Sequence, residues 1–176
     1  MAACEEYNKR QLHFAIVECA PEESMNRGET RSPDQIVAAS EAEWEANKTD
    51  CNHFVKAVAG VLGVNLFGPN DNADAIIDKL ANAPGWQSLP SRAAVEADAA
   101  AGWFIIAGLR SGEFSPPRAH GHAVVVVQGD DPNHPGFPMA YWGTLGSIGR
   151  KDASIRYAFI PGPDLDAVHY FGTQLP

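Results

Sequence analysis

The sequence contains few cysteines, and their number and spacing exclude two kinds of small-protein scaffold. Three cysteines, Cys4, Cys19 and Cys51, occur among 176 residues. An odd number cannot form a closed disulfide framework, and the three do not have the spacing of a zinc knuckle. A bridge between Cys4 and Cys19 could form, and Cys51 would then remain a free thiol.

Long apolar runs are also absent. No run approaches the roughly 20 residues that a membrane-spanning helix requires, so we expect no membrane span. The chain starts without the basic segment and long apolar stretch that mark a cleaved secretory signal. We therefore expect a protein that stays in the cytoplasm or is exported without such a signal.

Basic residues are scarce relative to acidic ones. The 13 lysines and arginines are outnumbered by 22 aspartates and glutamates, which gives a formal net charge of −9. A surface of this charge repels phosphates, so nucleic acids and anionic membranes are disfavoured as partners. Neutral, zwitterionic and basic partners are left open.

Apolar residues are plentiful, at 45% of the sequence, so the chain can bury a substantial core. Its length suits one domain, and we assign residues 1–176 to it. Residues 1–33 are a less clearly assigned N-terminal extension, within which Leu12–Val17 could be a strand or a short helix.

The first half of the chain has helical periodicity. Ser32 or Asp34 can cap a helix that ends near Lys48. Thr49 or Asp50 can cap a second helix, which Gly63 would end. Its apolar residues form one stripe: Phe54, Val55, Val58, Val61 and Leu62. Two weaker helices are predicted, at about 73–80 and 92–101.

The second half has the pattern of strands. Trp103–Ala107 and His122–Val127 are continuous apolar runs, as expected for strands buried on both faces. Further strands are predicted at Met139–Trp142, Ile155–Ile160 and Val168–Phe171. Helices that precede strands in this way predict an α+β fold, with a helical layer packed on a mostly antiparallel sheet.

Three loops could border a binding site. The glycine-rich stretch 143–149 has neither a phosphate-loop lysine nor dinucleotide-binding spacing, and it is interpreted as a loop near a cleft. Stretches 111–118 and 130–138 are also predicted to be loops, and either could lie at the rim of a site.

Cys51 and His122 are the candidate catalytic residues. Cys51 lies in the first turn of the second helix, where free backbone N–H groups favour a thiolate. His122 opens the central strand, and its imidazole could take the thiol proton if that strand packs under the helix start. The backbone N–H groups of Cys51 and Asn52 could then bind an oxyanion. Such chemistry requires no metal and no cofactor.

Other roles for these residues remain open at this point. A lone cysteine on the core-facing side of a helix is often a small buried apolar residue, and the protein would then be a non-catalytic binding protein. His120 could join Cys51 and His122 in a metal site, but no carboxylate or further cysteine completes a ligand set. His53 points away from Cys51 around the helix and is disfavoured as the base.

Several sequence blocks carry a family resemblance. The blocks are Asp50-Cys51-Asn52-x-Phe54-Val55-x-x-Val58, Phe104–Leu109 and Gly121–Val126, followed by Pro138-Met139. In this order they resemble the type VI secretion amidase effectors, in particular the compact NlpC-like peptidoglycan amidases. The match runs from about residue 34 to the C-terminus.

This resemblance implies a papain-like, NlpC-like fold in which Cys51 is the nucleophile and His122 is the general base. The implied substrate is the stem peptide of bacterial peptidoglycan, cut between D-glutamate and meso-diaminopimelate. Alternatives on the same framework are another papain-like lytic amidase and a thiol acyltransferase. Relatives often orient the imidazole with a small polar residue or a cysteine near the position of Trp142, so Thr144 or a backbone carbonyl would have to serve here.

The resemblance also implies a biological setting. The protein would be made in a bacterial cytoplasm and delivered by the secretion apparatus, without a cleaved signal, into the periplasm of a rival cell. A cognate immunity protein that blocks the cleft would protect the producing cell.

Overall fold

A computed structural model describes residues 30–176, in which helices and strands are clearly separated along the chain. The helices are α1 (Pro33–Asn47), α2 (Cys51–Val61), α3 (Ala73–Asn82), α4 (Arg92–Ala100) and α5 (Pro163–Asp166). The strands are β1 (Gln87–Ser88), β2 (Phe104–Leu109), β3 (His122–Asp130), β4 (Pro138–Thr144), β5 (Ser147–Ser154) and β6 (His169–Thr173).

The strands form one antiparallel sheet, and helices pack on it. The six strands lie in the order β1-β6-β2-β3-β4-β5, and each pairing between neighbours is antiparallel. The predicted α+β class is therefore confirmed. Within the described part of the chain, no helix is long and apolar enough to cross a membrane. The predictions for Leu12–Val17 and for a Cys4–Cys19 bridge lie outside the described residues.

The helices begin at the capping residues that the sequence predicts. Ser32 caps α1 through a capping box, in which its side chain and that of Gln35 each accept a backbone N–H from the other residue. Asp50 caps α2, and its Oδ1 accepts the N–H groups of Asn52 and His53 at 2.8 and 3.0 Å. Residue 51 is consequently the first residue of α2.

The core has one apolar cluster on each face of the sheet. On one face, α1, α2 and α3 pack on alternate residues of β3, including Val125 and Val127. On the other face, α4 and the chain around Phe159 pack on Val124 and Val126. Strand β3 is thus buried on both faces, which accounts for its continuous apolar sequence.

The turn between α1 and α2 is fastened to the end of β4. The Lys48 carbonyl accepts the N–H groups of Thr144 at 3.1 Å and Gly149 at 2.7 Å. A Cβ atom at Gly143 would lie 2.2 Å from the Asn47 carbonyl oxygen and 2.6 Å from that of Asp50. Only glycine allows this approach, which sets the N-terminus of α2 against the sheet.

Two of the predictions for the second half of the chain are wrong. Residues 155–160 are not a strand, because Ile155–Tyr157 form a 3-10 turn that buries both Ile155 and Phe159. The stretch 143–149 is mostly strand, because β4 continues to Thr144 and β5 starts at Ser147, and only the turn at 145–146 is the predicted loop. Strand β5 itself is a polar edge strand with little buried surface, so it lacks the apolar alternation that would have predicted it.

Candidate active site

The Cys51 side chain is buried against the first residues of β3. Cys51 is 3% exposed, and its Sγ lies 3.5 Å from Asn52 Oδ1, to which the thiol can donate. The backbone N–H of Ala123 also lies close enough to the sulfur to stabilise its thiolate form. Because Ala123 directly follows His122, this contact joins the start of α2 to the start of β3.

The surroundings of Cys51 favour the neutral thiol. Burial raises the pKa of the Cys51 thiol, and the carboxylate of Asp50 raises it further, while the Ala123 N–H lowers it. The net direction is upward. The backbone N–H groups of Cys51 and Asn52 at the start of the helix lower the pKa of the thiol, as expected, but loss of water around the sulfur outweighs them.

The imidazole of His122 is held by packing. Its ring meets the ring of Phe159 edge to face, with the centroids 5.5 Å apart and an interplanar angle of 62°. Burial, and to a smaller extent the positive charge of Arg118, together lower the pKa of His122 from 6.5 to about 4. Across residues 30–176, no hydrogen bond to either ring nitrogen of His122 contributes to this value.

Cys51 and His122 line the same cavity. This cavity, of about 300 Å³, lies where β3 begins and β4 ends. We call it the Cys51–His122 cavity. Its wall comprises Cys51, Arg118–His122, Trp142, Thr144, Leu145, Tyr157 and Ala158. The fold thus brings together, at one solvent-connected surface, the two residues that the sequence singles out.

The backbone N–H groups at the start of α2 differ in their availability. The Asn52 N–H already donates to Asp50 Oδ1 at 2.8 Å. No oxygen atom of residues 30–176 accepts the Cys51 N–H. Of the two groups predicted to bind an oxyanion, the Cys51 N–H is therefore the freer donor.

The other histidines near Cys51 occupy different environments. His120 is exposed on the wall of the Cys51–His122 cavity. His53 is exposed on α2, with its Nδ1 3.5 Å from Asp50 Oδ2, and does not line the cavity. Residues 30–176 contain no group of three or more His, Cys, Asp or Glu side chains placed to hold a metal ion. The alternative of a metal site at Cys51 therefore finds no ligand set there.

A third group that would orient the imidazole is not apparent in the described residues. Trp142 and Thr144 both line the cavity, on alternate positions of β4. The Trp142 carbonyl accepts the Trp44 indole N–H at 3.2 Å, so it has a partner already. The position of His122 is therefore defined by its backbone pairing with Leu109 and by its contact with Phe159.

Some wall residues were not assigned a role from the sequence. Arg118 lies in the loop before β3, and Tyr157 lies in the turn that was predicted to be a strand. The only sequence signal for Arg118 was its place in a Gly/Ser/Pro-rich loop, which is a common setting for binding residues. Nothing in the sequence around Tyr157 indicates a cavity.

Comparison with known proteins gives one informative similarity. No protein-family model matches this chain. The chain is 34% identical, over 124 residues, to the peptidoglycan amidase Tse1 of Pseudomonas aeruginosa. The similarity covers 66% of this chain and 73% of Tse1.

Proposed function

This chain belongs to the type VI secretion amidase effector family, and we propose that it is a hydrolase that cleaves an amide bond in the stem peptide of peptidoglycan. The proposed bond joins D-glutamate to meso-diaminopimelate. Residues 1–176 are proposed to constitute one amidase domain of the NlpC-like, papain-like class.

The observation that carries the proposal is the shared wall of the Cys51–His122 cavity. A sulfur at the first residue of a helix and an imidazole at the first residue of a central strand both reach it. Nucleophile and base on separate elements beside one cavity are the arrangement that thiol hydrolases require. Identity to an amidase over most of the chain supports the same assignment.

The proposed mechanism starts from two uncharged groups. The raised pKa of Cys51 and the lowered pKa of His122 keep the thiol and the imidazole neutral near pH 7. As the sulfur attacks the peptide carbonyl, His122 takes the thiol proton. The Cys51 N–H stabilises the oxyanion of the tetrahedral intermediate, with the Asn52 N–H as a second donor that must share its bond to Asp50 Oδ1.

The acyl-enzyme is then hydrolysed. The protonated His122 gives its proton to the departing amine, and it next takes a proton from the water that attacks the thioester. The C–S bond then breaks, and His122 returns this proton to the Cys51 sulfur. The products are a peptide with a new carboxylate and a peptide with a new amine. None of these steps calls for a metal or an organic cofactor.

The proposed biological role is that of an antibacterial effector. The protein would be made in the cytoplasm, pass through the secretion apparatus and act on peptidoglycan in the periplasm of a rival cell. A cognate immunity protein would block the cavity. The membership of the family supports this role.

One observation favours a second candidate function. Cys51 is 3% exposed and its pKa is raised, which also suits a structural cysteine in a binding protein. Another papain-like lytic amidase and a thiol acyltransferase remain alternatives that use the same two residues. The products formed from peptidoglycan distinguish all of these.

The test is digestion of purified peptidoglycan sacculi, with mass spectrometry of the released fragments. We expect new D-glutamate and diaminopimelate ends with the unaltered protein, and a loss of about 10³-fold or more with Cys51→Ala and with His122→Ala. His53→Ala is the matched control, because His53 is exposed outside the cavity. Undiminished cleavage by Cys51→Ala would contradict the assignment of Cys51 as the nucleophile. Cleavage of peptidoglycan at another bond would instead assign the protein to another class of amidase.

A further inference from the structure

A second concave surface adjoins the Cys51–His122 cavity. It has a volume of about 650 Å³ and shares Arg118, Tyr157 and Ala158 with that cavity. Its remaining lining residues are His134, Arg156 and Phe159–Pro161. We call it the arginine basin, because two arginines lie on its wall.

Arg118 is held in position at the border of the two concavities. Its Nη2 lies 3.3 Å from Oδ2 of Asp164, a side chain that is 1% exposed. Its Cζ lies 4.1 Å from the centroid of the Phe114 ring. Asp164 is itself fixed, since its Oδ1 accepts the Ser115 N–H at 2.7 Å. A guanidinium has five N–H donors, so most of those on Arg118 remain available to a ligand.

Arg156 adds a second positive charge to the basin. It forms no ion pair with any acidic residue between positions 30 and 176, and its Cζ lies 5.7 Å from the Phe137 ring centroid. By contrast, Lys79, Arg110 and Lys151 are each paired with a carboxylate. Since Arg118 is already paired with Asp164, Arg156 supplies the positive charge of the basin that no acidic residue between positions 30 and 176 balances, in a chain with a net charge of −9.

Carboxylates are the ligands that such a surface recognises best. Guanidinium groups bind carboxylates through two parallel N–H···O bonds, which gives both affinity and direction. In a γ-D-glutamyl–diaminopimelate linkage, each of the two joined residues keeps a carboxylate that is not part of the amide. The proposed substrate therefore presents an anionic group on either side of the bond to be cut.

We propose that the arginine basin is a carboxylate subsite, in which Arg118, assisted by Arg156, binds a free carboxylate beside the scissile amide and places that amide against Cys51. This inference rests on the proposed function and names the substrate group that the cavity recognises. It also explains why a strongly acidic protein keeps an exposed arginine between two concavities.

The test compares kcat/KM of the full chain on three synthetic stem peptides. One is unmodified, one carries D-isoglutamine in place of D-glutamate, and one carries diaminopimelate with its free carboxylate amidated. We expect the unaltered protein to lose about ten- to a hundred-fold on one of the two amidated peptides, since a charged hydrogen-bonded pair is lost. The peptide that is affected identifies which carboxylate enters the basin.

Substitutions in the basin complete the test. On the unmodified peptide, Arg118→Gln should lower kcat/KM by about the factor that amidation costs the unaltered protein. On the affected amidated peptide, Arg118→Gln should have almost no additional effect on kcat/KM. Arg118→Lys should lose less kcat/KM, because lysine keeps the positive charge but lacks the two parallel N–H donors of a guanidinium. Arg156→Gln should lose a few-fold, and it removes no ion pair on which folding depends. Arg92→Gln is the matched control, since Arg92 lines neither concavity, and its kcat/KM should be unchanged.

Two results would overturn the subsite alone. One is equal cleavage of all three peptides by the unaltered protein. The other is a loss with Arg118→Gln that has the same size on all three, which would mark Arg118 as a structural partner of Asp164. Failure of the unaltered protein to cut any of the peptides or intact sacculi would instead overturn the proposed function together with the subsite. Thermal unfolding of each variant shows whether it is folded.

Discussion

Backbone contacts hold the Cys51 side of the cavity, whereas side-chain packing holds the His122 side. Asp50 caps α2 through two N–H groups, and the Lys48 carbonyl binds two N–H groups at the β4–β5 hairpin. The ring of His122 contacts Phe159. The position of the sulfur is therefore determined by the fold itself, while the direction of the imidazole depends on its neighbours.

This difference suggests how the proposed site would be activated. In the free protein the thiol is directed to Asn52, and both candidate catalytic groups are uncharged at neutral pH. Because no atom of residues 30–176 hydrogen-bonds the His122 ring, the ring can turn within its packing to receive the thiol proton. We infer that substrate binding completes the alignment of His122, whereas Cys51 is already in place.

The largest expected effect on the Cys51 side of the cavity comes from a substitution at Gly143. A methyl group there would meet the carbonyl oxygens of Asn47 and Asp50, so Gly143→Ala should displace the start of α2. We expect a loss of about 100-fold in kcat/KM, because small displacements of a nucleophile have large effects, and a lower melting temperature. Gly60→Ala, within α2 itself, is the control. Its Cβ would meet no atom of residues 30–176 within 4 Å. A near-normal Gly143→Ala enzyme would show that the backbone contacts do not position the sulfur.

The pH dependence of kcat/KM measures the pKa of His122. With a pKa lowered to about 4, His122 is neutral and able to accept a proton at every pH well above that value. The acid limb of kcat/KM should therefore lie near pH 4, and activity at pH 5 should be close to its plateau. A base with an unperturbed pKa of about 6.5 would lose roughly thirty-fold at pH 5. NMR titration of the His122 ring gives the same pKa independently.

Loosening the packing around His122 should produce an intermediate effect. Phe159→Leu removes the aromatic edge contact and admits water, so the pKa of His122 should rise towards 6.5. We expect the acid limb to move up by about one unit and kcat to fall several-fold. Phe104→Leu is the matched control, because Phe104 is fully buried in the cluster on the opposite face. If both substitutions move the acid limb equally, general destabilisation explains the shift.

The smallest expected effect concerns the charge beside Cys51. Asp50→Asn keeps a good helix cap but removes a carboxylate that raises the pKa of the thiol. That pKa should fall, so alkylation of Cys51 by iodoacetamide at pH 8 should become about two- to five-fold faster. Asp34→Asn, in the first turn of α1, provides the comparison. An unchanged rate would mean that burial alone controls the reactivity of the thiol.

The sequence predicts those elements whose signals are local. Ser32 and Asp50 mark the first turns of α1 and α2 because a capping side chain bonds to N–H groups only two or three residues away. The central strand β3 is evident because burial on both faces requires a continuous apolar run. The membership of the amidase family, predicted from the blocks around Cys51 and His122 together with Phe104–Leu109, is confirmed by identity to a known amidase.

The sequence fails where the structural signal comes from a distant part of the chain. Strand β5 has a polar sequence, and its pairing with β4 supplies the stability that its side chains do not indicate. Residues 155–160 have the composition of a strand. In the structure they begin with a turn, and tertiary packing buries both Ile155 and Phe159 in the same apolar cluster. The pKa of Cys51 could not be predicted either, because the burial that raises it is created by other elements.

By itself, the chain's order of residues determined the identity of the two candidate catalytic groups, the caps that start the first helices and the α+β class. These depend on contacts within a few residues or on periodicity. Tertiary structure alone decided that Cys51 and His122 share a cavity, that both are neutral and that Arg118 stands beside them. Those properties arise from burial and from charges brought close by folding, and neither is encoded at any single position.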